Sequence, residues 1–134
     1  MVTPTLAGAR PGGAISAAWA VMNFLGVEGY RAKQALVTGA RERIEAGAAA
    51  LGFQVLGHPQ LGIVAFHHPD VNSMAIWARL RERGWFTSVA TEPPALHLML
   101  SPFHADVVDV YLADLAWALG AARAAAPVQA EARY

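Results

Sequence analysis

Residues 3–30 read TPTLAGARPGGAISAAWAVMNFLGVEGY, and the fold of the whole chain turns on this stretch. Residues 1–13 hold two prolines and three glycines and read as a loop or extended segment. From Ala14 to Leu25 the residues are almost all apolar and helix-tolerant, with Ser16 and Asn23 the only polar ones. A helix on the surface of a globular domain carries a polar stripe, and this one hardly does. It is expected to be buried nearly all round, packed on more than one side. Gly26 is the expected stop. A helix this apolar fits poorly into a small closed domain, so the chain is expected to belong to something larger.

Outward from that segment the pattern becomes more ordinary. A second helix is predicted from Glu28 to about Leu51, with Val37, Ala40, Ile44, Ala48 and Leu51 spaced along one apolar face. Gly39 and Gly47 weaken it, and Gly52 is its expected C-terminal cap. Short apolar runs at Phe53–Leu56 and Gly62–Phe66 predict two strands. Asp70 or Asn72 is expected to cap a helix from Ser73 to Arg83. Two more strands are predicted at Trp85–Ala90 and Ala95–Leu100, followed by a last helix from Ala105 to Arg123. The order helix, helix, strand, strand, helix, strand, strand, helix predicts an α+β fold, with N-terminal buried helices and then a small antiparallel sheet covered by helices. Three parts are expected: residues 1–27 as a loop and connecting helix, 28–126 as a small α+β domain, and 127–134 as a tail.

At 134 residues, one domain is the default. Charged residues make up 15% of the chain, below the roughly 25% of ordinary soluble domains, which suggests a subunit or interdomain contact as readily as an alanine-rich composition. Ten basic residues balance ten acidic ones, so there is no basic stripe for nucleic acid. With no cysteine, disulfides, thiolate nucleophiles and cysteine-based zinc sites are excluded. Asn23, Gly26 and Glu28 interrupt the best apolar run before it is long enough to span a bilayer. No signal peptide is evident, and a cytoplasmic location is expected.

The loop Gly8–Ala9–Arg10–Pro11–Gly12–Gly13 runs straight into a helix start, where free backbone N–H groups favour an anion. Arg10 adds a fork suited to phosphate or carboxylate. The plainer alternative is a tight turn with an ordinary ion pair. The histidines, at 58, 67, 68, 97 and 104, show no metal-ligand spacing, and no metal site is expected. His97, inside an apolar strand pattern, is expected to be a hydrogen-bonded core residue. Lys33 is the only lysine, and its polar helical surroundings make it a solvated side chain rather than a sheltered nucleophile.

The run Pro4–Thr5–Leu6–Ala7–Gly8–Ala9–Arg10–Pro11–Gly12–Gly13, the alanine-rich helix with Trp19 and Met22, and then Leu25–Gly26, Glu28, Gly29 and Tyr30 resemble the C-terminal part of sphingosine-1-phosphate lyases and related group II amino-acid decarboxylases. Gly84–Trp85, Pro93–Pro94, His97–Leu98, Pro102 and His104 follow in the order seen in that family. The similarity covers about residues 3–120. It implies the C-terminal small domain of a fold-type I pyridoxal-phosphate enzyme, which closes over a cofactor held by a large domain at a homodimer interface. The lysine that bonds to the cofactor lies upstream of the matched region, so this chain is expected to lack it and to be inactive alone. The family's loop near the cofactor phosphate falls on Gly8, Ala9 and Arg10, with Ala9 replacing the usual hydroxyl residue. The expected partner is the missing large domain or a subunit of the same family. No nucleic acid and no membrane are expected. The alternative from another class is a free-standing α+β module that binds a small ligand or a protein.

Overall fold

The structure is a computed structural model that describes residues 11–125. It contains helix α1 (Gly12–Ala50), strands β1 (Gln54–Val55) and β2 (Ile63–His67), helix α2 (Ser73–Glu82), strands β3 (Ser88–Thr91) and β4 (Pro94–Met99), a 3-10 turn (Pro102–Asp106) and helix α3 (Val108–Ala124). The chain divides into two compact units, Met1–Lys33 and Gln34–Tyr134.

In the first unit α1 begins at Gly12, two residues before the predicted start. Gly26 interrupts the helix instead of ending it. Its φ of 58° and ψ of −173° lie where side chains are not tolerated, and helical geometry resumes on the far side. The apolar side chains expected to be covered are exposed among the described residues. Trp19 is 64% exposed and Phe24 89%, with Ile15, Met22 and Val27 also exposed. The expected all-round burial of this helix is therefore not found among the described residues.

The second unit has a closed core. Its sheet runs β1-β2-β4-β3, with every pair antiparallel. Alternation in β2 sends Val64 and Phe66 inward and leaves Ile63 exposed. Leu96 and Leu98 do the same from β4. Helices supply Ile44 and Ala48 from α1, Ile76 and Leu80 from α2, and Val108, Leu115 and Leu119 from α3. Of the apolar face predicted along residues 37–51, Val37, Ala40, Ile44 and Ala48 are buried and Leu51 is half-buried.

Asn72, one of the two proposed caps, starts α2, and its side-chain oxygen accepts from the Met74 N–H at 2.7 Å. Gly47 has a packing reason that helix propensity hides. A Cβ there would lie 2.5 Å from the Leu112 side chain, so α1 and α3 approach closely at this point. At Gly62 the obstacle is backbone, because a Cβ would lie 2.9 Å from the Leu100 carbonyl oxygen. The N–H of Leu100 donates to the Gly62 carbonyl at 2.6 Å, holding the two backbones together.

The third strand begins later than predicted. Trp85–Thr87 lie outside the ladder, which starts at Ser88 paired with His97. Beside this start the Trp77 indole N–H donates to the Thr87 carbonyl at 2.8 Å. β4 continues to Met99 against β2, so it outruns β3 at this end. Similarly, the last helix is split. Pro102–Asp106 form a 3-10 turn before the α-helix starts at Val108.

Candidate functional site

Gly8, Ala9 and Arg10, the residues assigned to the cofactor phosphate, lie outside the described residues. The helix that follows them starts at Gly12. Lys33 is exposed on α1. Among the described residues no group of three or more His, Asp or Glu side chains is placed to hold a metal ion.

The second unit brings together a different set. Where Trp85–Thr87 diverge from the end of β4, a cavity of about 290 Å³ opens between the sheet and the start of α3. Ile44, Leu98 and Val108 give it apolar walls, and Thr87, His104 and Tyr111 also line it. Among the described residues no Lys, Arg, Asp or Glu lines it.

Each of these polar groups is fixed by a local cause. Tyr111 sits on the buried face of α3, three residues beyond Val108 and four before Leu115. Its ring meets Trp85 edge-on, with centroids 5.1 Å apart. Trp85 in turn is tethered to Asp114 at 2.7 Å. Burial pushes the Tyr111 hydroxyl well above the ordinary tyrosine range, so it stays protonated as a donor. That oxygen and Thr87 Oγ1 are both buried with no hydrogen-bond partner among the described residues. A buried hydroxyl left unpaired costs roughly 1–3 kcal/mol.

His104 is oriented by Ser101. The Ser101 backbone N–H donates to His104 Nδ1 at 2.8 Å. A backbone N–H can only donate, so Nδ1 accepts and the neutral ring carries its proton on Nε2. No hydrogen bond from Nε2 occurs among the described residues.

His97, also on the cavity wall, is half-buried and makes no side-chain hydrogen bond among the described residues. The hydrogen-bonded core histidine expected there is found instead at His68. That ring is buried against Phe53, receives the Asp70 N–H on Nδ1 at 3.1 Å and lies 2.9 Å from Arg123. Sequence reading missed Thr87 and Tyr111. The available signal for Tyr111 was an aromatic residue with a polar tip on a buried helix face.

No protein-family model matches the chain. Over 112 residues, 83% of its length, it is 38% identical to a probable L-tyrosine/L-aspartate decarboxylase of Methanothermobacter thermautotrophicus, of which it spans 31%. It is 34% identical over 115 residues to a sphingosine-1-phosphate lyase of Arabidopsis thaliana, covering 85% of this chain and 21% of that protein. The solved structure of a sphingosine-1-phosphate lyase from Burkholderia pseudomallei matches with a TM-score of 0.84 and 31% identity, over 90% of this chain and 28% of the lyase. The chain therefore spans about a fifth to a third of the proteins it matches. The α+β fold inferred from element order is the fold of that lyase segment. Over this segment the relatives of the chain are group II pyridoxal-phosphate decarboxylases and sphingosine-1-phosphate lyases, and its fold is that of the matched segment of one such lyase.

Proposed function

We propose that this chain is the C-terminal portion of a pyridoxal-phosphate-dependent carbon–carbon lyase and is inactive alone. The observation that carries the reading is partial coverage combined with structural fit: nine tenths of this chain superpose on 28% of a lyase. Bound pyridoxal phosphate supplies an electron sink for cleavage next to the substrate nitrogen. The described residues do not fit the whole of that cofactor. It needs a sheltered lysine, and the one lysine of the chain is exposed on a helix. At most one end of the cofactor is served here. Gly8 and Arg10 have the chemistry to hold its phosphate, with Ala9 contributing backbone only.

On this reading, residues 1–27 belong with the large domain, residues 28–126 form the small domain, and 127–134 are a tail. The uncovered apolar side chains of α1 support this division, because they need a neighbour. The neighbour is the large domain or a second subunit in a cytoplasmic homodimer. The reaction is amino-acid decarboxylation or cleavage of a phosphorylated sphingoid base. No helix among the described residues is long and apolar enough to cross a membrane.

Borohydride reduction of the chain with pyridoxal phosphate, followed by peptide mapping, tests the central claim. No stoichiometric label is expected at Lys33, and specific labelling there would overturn it. A chimera tests the placement. Residues 11–125 exchanged for the matched segment of the Burkholderia lyase are expected to retain cofactor absorbance, and loss of folding in that context counts against it.

A second reading, a free-standing ligand-binding module, is favoured by one observation. The unit from Gln34 onward has its own core and a cavity of its own.

A further inference from the structure

We propose that the cavity between the β3–β4 end and α3 binds a small uncharged molecule that joins an aromatic or aliphatic body to a carbonyl-type oxygen. This inference stands on the second unit alone and does not depend on the cofactor reading.

Three observations converge on it. The first is space. β3 pairs no further than Ser88 at this end, while β4 goes on to Met99. The resulting gap, about 290 Å³, is at the small end of the range that holds compact ligands.

The second is unmet hydrogen bonding. Buried hydroxyls nearly always find a partner, so Thr87 and Tyr111, both orphaned beside one cavity, call for an occupant. His104 Nε2–H, with its tautomer set by Ser101, adds a group that can only donate. Hydroxyl protons and an imidazole N–H together suit an oxygen acceptor.

The third is the absence of formal charge. With no Lys, Arg, Asp or Glu in the lining, an ionised ligand would lose its water without gaining a counter-charge. A neutral amide, ketone or ester oxygen takes the same donors without that cost, while Ile44, Leu98 and Val108 cover the body.

The two hydroxyl oxygens lie beneath the cavity wall in this conformation. The occupant reaches them by displacing the rim, where Phe86 is 81% exposed and outside the core.

The test titrates benzamide into the 134-residue chain and follows backbone amide shifts by NMR. Toluene serves as the apolar isostere without oxygen, and benzoate as the charged analogue. Benzamide is expected to shift Thr87, His104 and Tyr111 saturably and to bind more tightly than either control. Tyr111→Phe and Thr87→Val keep side-chain volume while removing one hydroxyl each. Each is expected to weaken benzamide about fivefold, the scale of one hydrogen bond, and to leave toluene unchanged. The proposal is overturned if benzamide gives no saturable shift, which would leave buried water as the only occupant. It is equally overturned if both variants bind benzamide as well as the parent, or if benzoate binds more tightly than benzamide.

Discussion

The Trp85 indole N–H donates to Asp114 Oδ2 at 2.7 Å, tying the loop after α2 to the middle of α3. Arg83 donates to the other oxygen of the same carboxylate and lies over the Trp117 ring at 3.9 Å. One aspartate therefore anchors both residues flanking Gly84, whose φ of 86° turns the chain out of α2. Because Trp85 packs against Tyr111, this anchor also fixes one wall of the cavity.

The hydrogen bond from Trp85, then that from Arg83, holds the Asp114 carboxyl below the ordinary aspartate range. A depressed folded-state value means the unfolded chain takes up the proton first. The stability is present above the unfolded aspartate value, near pH 4, and is lost as pH falls through the lower folded value. Asp114→Asn should lower the urea midpoint at pH 7 and flatten the loss of stability between about pH 4 and pH 2. Chemical denaturation across that window reads both effects. An unchanged acid limb would show that the carboxylate contributes nothing by charge.

Tyr111 titrates in the opposite sense. Burial raises its folded value, so the associated stability is complete below the unfolded tyrosine value near 10 and is lost as pH rises beyond it. Ultraviolet titration should show Tyr111 ionising only with unfolding. Replacing it with Phe should leave stability at pH 7 within about 1 kcal/mol, because the hydroxyl lost was unpaired. A loss of 2 kcal/mol or more would reveal a partner for that oxygen.

Leu96 is fully buried at the centre of the sheet, between β2 and β3. Leu96→Ala should cost about 2–5 kcal/mol by urea unfolding. Exposed Met99, three residues on, should tolerate the same change within about 0.5 kcal/mol.

How far the sequence could be read depended on whether a feature was local. The apolar face of residues 37–51, the Asn72 cap and the existence of β2 follow from spacing and chemistry within a few residues, and the structure contains each of them. The start of β3 was not legible, because the apolar run from Trp85 continues into the strand without a break in pattern, while pairing with β4 begins only at Ser88. Nor could spacing reveal that Gly47 faces Leu112, a contact between distant helices. The cavity has the same origin. Thr87, His104 and Tyr111 converge only once the strand end splays, and no motif links them. The Gly8–Arg10 loop was the most legible feature of the sequence and lies outside the described residues.

Gly62 and Gly26 make a paired prediction, since each needs glycine for a different reason. At Gly62 the obstacle is backbone: an added Cβ would sit 2.9 Å from the Leu100 carbonyl oxygen, which cannot swing away as a side chain can. Gly62→Ala should destabilise the second unit by about 1–3 kcal/mol, seen as a lower urea midpoint. At Gly26 a Cβ would meet nothing, and the constraint is the positive φ alone. Gly26→Ala should leave unfolding of the second unit unchanged. It should instead favour a regular helix through residue 26, since alanine resists the left-handed region by roughly 1–2 kcal/mol. Far-UV circular dichroism should then show a small gain in helix without a shift in the urea midpoint. A lower midpoint for Gly26→Ala would mean that the break at this residue supports the core beyond Lys33, contrary to the division into two compact units.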